Sequence, residues 1–165
     1  MLNFWKPVPP SPPSLEQQHA QAKALLQRVV PRLSPGHFHN EKIGLWGFLS
    51  TSGKTNPIGF YMTASGSRII AMASSDLNLD PDWASRAILW ELLVANDQLA
   101  HGSYRLVKKD QTYSVVLGVT LEAQHWSDAA LLALVRTLIA QFEALLVRLY
   151  AKNLSDNSPL PVDVE

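Results

Sequence analysis

The chain has 165 residues, 14 Lys and Arg against 14 Asp and Glu, and a formal net charge of zero. Hydrophobic residues make up 47% and charged residues 17%, enough apolar surface for a packed core, which excludes disorder throughout. Lys and Arg are scattered, with Lys108-Lys109 the only adjacent pair, so the basic stripe that binds nucleic acid or an anionic membrane is missing. With no cysteine, disulfides, thiolate catalysis and cysteine-bound metal centres are excluded together.

The length suits one domain with flexible ends, read here as an arm over 1–13, a domain over 14–150 and a tail over 151–165. Pro7, Pro9, Pro10, Pro12 and Pro13 make the arm an extended, polyproline-type lead-in, which Phe4 and Trp5 can pin to the body. Met1-Leu-Asn-Phe-Trp-Lys-Pro lacks the layout of a signal peptide, and a cytoplasmic protein is expected. Ser14 begins a first helix, with Gln17 placed to complete a capping box. Leu15, His19, Ala22, Leu26 and Val29 follow on one face, and Pro31 with Ser34-Pro35-Gly36 stops it.

Three strands follow over Ile43–Ser50, Ile58–Ala64 and Arg68–Ser74, the last two joined by a tight Ser65-Gly66 turn. In the first, Trp46 and Phe48 share one face and Ile43, Leu45 and Leu49 the other. Asp80-Pro81-Asp82 reads as cap, first-turn proline and acid for a second helix to about Leu99, with Trp83, Ala87, Trp90 or Glu91, and Val94 along it. Ser103–Val107 and Thr112–Thr120 form a hairpin of fourth and fifth strands.

A long helix closes the chain. Leu131, Val135, Leu138, Phe142, Leu145 and Leu149 build one stripe for a sheet. Leu132, Ile139 and Leu146 build a second ridge that asks for another partner, either the first helix or another molecule. Arg136, Gln141, Glu143 and Arg148 interrupt this segment, and mid-span charges cost about 2.5–3.5 kcal/mol each, so no membrane span is expected. The fold class is α+β in the order α-β-β-β-α-β-β-α, a five-stranded antiparallel sheet with helices packed on it.

Chemistry is sparse. Gly53-Lys54-Thr55 mimics the end of a phosphate loop, but Phe48 stands where the first glycine belongs and Pro57 follows. His37-Phe38-His39 reads as a solvated loop pair, since three or four ligands and a second shell are needed for a metal. Asp80 and Asp82 are explained by capping, and with Asp76 they lack the glycine and glutamate of a calcium loop. No nucleophile elbow occurs. No catalytic, cofactor-binding or metal-binding residue is therefore assigned.

Leu99-Ala-His-Gly102-Ser-Tyr104-Arg-Leu106, the Lys109-Asp110 turn, Tyr113-Ser-Val-Val-Leu117 and the leucine-rich helix resemble the YbjN family, with Asn96 at the preceding helix end. The match of element order spans about residues 14–150. That family, which has cyanobacterial and plastid relatives, is similar in fold to type III secretion chaperones, and the resemblance implies a small, usually dimeric, chaperone-like or regulatory protein without an active site. Secretion chaperones tend to be strongly acidic, unlike this neutral chain.

The expected function is a non-enzymatic, homodimeric protein-binding module that also takes an unidentified client, with neither nucleic acid nor membrane as partner. Trp83, Trp90, Leu132, Ile139 and Leu146 are its candidate interface, and self-association is expected through the second helix or the fifth strand. The alternative is a small-ligand sensor with a pocket between sheet and long helix, lined by Trp46, Phe60 or Leu138.

Overall fold

A computed structural model of the chain describes residues 12–51, 57–75, 86–109 and 112–156; most of the proline-rich arm, the Gly53–Thr55 and Asp76–Asp82 motifs and the last nine residues lie outside them. Helix α1 (Leu15–Leu33) starts on the expected capping box. The Gln17 amide donates to Ser14 Oγ at 3.2 Å, and the Ser14 amide donates to Gln17 Oε1 at 2.8 Å. Two amides that the helix leaves unpaired are thus satisfied. Ala22, Leu25, Leu26, Val29 and Val30 are buried, whereas Leu15 and His19 are exposed. Pro31 sits inside the last turn, where its missing amide costs one bond, and the helix ends two residues later.

The sheet has six strands rather than five. They are β1 (Phe38–Asn40), β2 (Leu45–Ser50), β3 (Ile58–Ser65), β4 (Arg68–Ser75), β5 (Ser103–Lys109) and β6 (Thr112–Glu122). The extra strand is β1, where a loop was expected. Three residues are too few for alternation to register in sequence. Its pairing depends on a turn that Gly44 enters at φ +60° and that Asn40 Oδ1 closes by accepting the Lys42 amide. The two histidines are not a solvated pair. His39 lies on the inner side and stacks on Trp46, ring centroids 4.2 Å apart, while His37 Nδ1 is 3.1 Å from the Ser34 carbonyl oxygen.

All pairings are antiparallel, in the order β1-β2-β3-β4-β6-β5. The fifth strand expected from sequence is β6, and it lies inside the sheet, paired on both sides. Self-association through its edge is excluded, because its backbone groups are already used. The fourth expected strand, β5, is at the margin instead.

Alternation sets two faces. Phe48 lies opposite Phe60, Phe60 opposite Ala73, and Ala73 opposite Leu117; this row and its neighbours are buried. The helices lie on that face. Helix α1 packs over β2, β3 and β4, α2 (Arg86–Asp97) over β5, and α3 (Asp128–Asp156) against both helices. Every member of the expected α3 stripe is buried, from Leu131 to Leu149. The segment Asp128–Ala151 has the length and hydropathy of a membrane span, but its most apolar face here is packed in the core. The helix runs to Asp156, past the expected start of the tail, as no Gly or Pro occurs before Pro159.

Candidate functional site

Helix α2 is apolar on two sides. Ile88, Leu92 and Ala95, at i, i+4 and i+7, are buried against β5 and α3. On the other side Leu89, Trp90 and Leu93 are 46%, 64% and 63% exposed. Trp90, a candidate interface residue by sequence, points outward. Positions 88 and 90 are about 200° apart around a helix, so two rival stripes compete for one core, and the Ile88 stripe takes it. Glu91 fixes the rotation, with a carboxylate oxygen 3.4 Å from Arg148 Nε of α3. Leu89 and Leu93 were not singled out from sequence, although their spacing with Trp90 (i, i+1, i+4) was the available signal. Trp83 lies outside the described residues.

The second ridge of α3 is divided. Leu146 is fully buried, so it belongs to the core and is removed from the candidate interface. Leu132 and Ile139 are half-buried and pack against that core. The cover comes from within the chain: α1 lies alongside α3, and Arg28 holds both carboxylate oxygens of Asp128 at 2.9 Å. Ile139 also lines an open depression of about 350 Å³ with Leu33, Phe48, Leu49, Arg136 and Glu143. The three residues expected to line a ligand pocket are buried in the packed core. Of them, Trp46 also borders a smaller, more enclosed hollow of about 270 Å³ beside His19, Lys23 and Glu41.

Polar chemistry is engaged structurally. Asn96, at the end of α2, accepts the Tyr104 amide on Oδ1 at 2.6 Å and donates from Nδ2 to the Tyr104 carbonyl at 3.2 Å. Its carboxamide therefore stands in for a neighbouring strand and closes the margin of β5 at that point. The Tyr104 ring stacks on Phe142 at 5.8 Å. Burial pushes its phenol up to about 12, against a smaller opposing effect of Arg148, so it stays neutral at physiological pH. Gly102, at φ +90°, begins this strand; a Cβ there would lie 2.5 Å from the Gly118 carbonyl oxygen. Among the described residues no three His, Asp or Glu side chains converge on a point that could hold a metal ion.

No protein-family model matches the chain, and no curated protein sequence does. Its fold is similar to the crystal structure of YbjN from E. coli, a candidate transcription regulator, with a TM-score of 0.56 and 14% sequence identity, over 86% of this chain and 94% of that one. The chain has a YbjN-like fold.

Proposed function

We propose that this chain is a non-enzymatic, homodimeric protein-binding module of a chaperone-like or regulatory kind that works in the cytoplasm. The observation that carries this reading is the Leu89, Trp90 and Leu93 cluster, which leaves three large apolar side chains of one helix in water. Clustered exposed apolar side chains of this kind mark sites of protein contact, and tryptophan is enriched among the residues that dominate binding. The likeness to YbjN fits a regulatory role. The scatter of Lys and Arg favours a regulator that acts through protein contacts over one that holds DNA.

The test is protection of a denatured, aggregation-prone protein, read by light scattering at equimolar ratio. The wild type is expected to suppress aggregation. A Trp90→Ser/Leu93→Ser variant is expected to lose most of that protection at an unchanged melting temperature, since both residues are at the surface. Equal protection by the variant, or none by the wild type, would overturn the chaperone-like reading.

A further inference from the structure

The two faces of the sheet are covered differently. Among the described residues the helices pack on the face that carries Phe60, Ala71 and Val119. The opposite face presents Phe38, Leu49, Ile70, Met72 and Val107, which are 46%, 62%, 42%, 42% and 45% exposed. This face is also level. A Cβ on Gly47 would meet the Phe38 ring at 2.5 Å, one on Gly59 the Tyr61 hydroxyl at 2.8 Å, and one on Gly118 the Arg105 guanidinium at 2.5 Å. Each long side chain therefore lies along the sheet in the recess beside a glycine. Phe38 and Tyr61 meet edge to face at 6.3 Å. Charge is sparse on it: Arg68 pairs with Glu122 at 2.7 Å at one end, and Arg105 reaches from the marginal strand over Gly118, the register partner of Met72. A largely apolar face that carries Met, aromatic and Arg side chains has the composition of a protein interface.

We propose that this face packs on the same face of a second copy, so that two sheets form a sandwich with helices on both outsides. The proposal rests on the dimer reading above and gives it a surface other than α2. Size supports a second copy as the occupant. Six strands of three to eleven residues, about 4.8 Å apart with a rise of about 3.3 Å per residue, give a flat patch of roughly 700 Å². Side-chain relief raises that toward the ~800 Å² that each partner contributes to a standard interface. Shape supports it too, since a level sheet face is matched best by another level sheet face about 10 Å away. Charge agrees: the acid on this face is engaged by Arg68, and a neutral chain does not repel its copy. With a two-fold axis along the strands, Arg105 meets the Phe38 and Leu49 side of the other copy, where a guanidinium can stack on a ring, and not its own equivalent.

Sedimentation velocity over about 1–100 µM, a range that spans ordinary dimer affinities, tests this. The wild type is expected to dimerise. Met72→Glu should weaken the dimer about 100-fold, as for a central contact, while Trp90→Glu leaves it unchanged. Because the chain has no cysteine, a second readout is direct. Met72→Cys, near the centre of the face, should give a disulfide-linked dimer under mild oxidation, and Leu93→Cys should not. Crosslinking at 93 and not at 72, with the dimer lost in Trp90→Glu only, overturns the sheet-face proposal and leaves the dimer reading standing. A wild type that stays monomeric throughout overturns both.

Discussion

The inner and outer faces of this sheet are built from the same strands and nearly the same kinds of residue, yet they do different work. On the inner face Phe60, Met62 and Ile69 are fully enclosed under three helices. One residue along, Tyr61, Ile70 and Met72 point the other way; Tyr61 is half-buried, and Ile70 and Met72 keep a large part of their surface in water. The inner rows hold the fold together by burial, at about 25 cal/mol for each Å² of apolar surface removed from water. Among the described residues the outer rows contribute less of that, because no described helix covers them. The same holds for α2, where Ile88 is spent on the core and Trp90 is not. Among the described residues, apolar side chains outnumber those that the described elements bury.

The sharpest way to break that comparison is to place one charge on each side. Leu146→Asp, fully buried on α3, should cost about 4 kcal/mol or more, as an unpaired buried charge does, and leave the chain unfolded or near it by circular dichroism. Met72→Glu should lower the unfolding free energy of the monomer, read from urea titration, by no more than about 0.5 kcal/mol. Equal losses would mean that the outer face is core in disguise. A smaller effect tests the margin of the inner face. Asn96→Ala leaves the amide and carbonyl of the buried Tyr104 without partners, which should cost about 1–3 kcal/mol in chemical denaturation. A loss near zero would show that water replaces the carboxamide.

The smallest effect is confined to alkaline pH. The Tyr104 phenol has its pKa raised from 10.0 to about 12 by burial. The folded form therefore holds this proton more tightly than the unfolded chain. The resulting stability is fully present below pH 10 and is lost as pH rises from there through about 12. Tyr104→Phe should remove this part of the alkaline decline, seen as a flatter plot of melting temperature against pH than for the wild type. Parallel plots would show that the ring is hydrated in the folded state.

Much of the fold was legible because it rests on local periodicity. The capping box at Ser14, the alternation of Trp46 and Phe48, the turn at Gly66 and the Leu131–Leu149 stripe all stand where the residue pattern put them. What failed has a common cause. The β1 strand is too short for alternation to show, and it exists only because Phe38 and His39 find Gly47 and Trp46 across a turn. The place of β6 inside the sheet, next to β4, joins segments some 45 residues apart. The candidate site was legible in residue type but not in orientation. Trp90 stands exposed, Leu146 falls in the core, and Leu89 and Leu93 carry no signal beyond their spacing with Trp90. Asn96 was quoted for a resemblance, while its role depends on the backbone of Tyr104 eight residues away.

The sequence by itself determined the described helices and five of the six described strands, and that the apolar residues outnumber what one stripe per element requires. Both follow from spacings of two, three and four residues, which local geometry converts directly into faces. Only the tertiary structure decided which of two apolar stripes on α2 is buried, which ridge of α3 is covered, and which face of the sheet lies bare. Those choices depend on neighbours far away in the chain, and among the described residues all three helices pack on one side of the sheet.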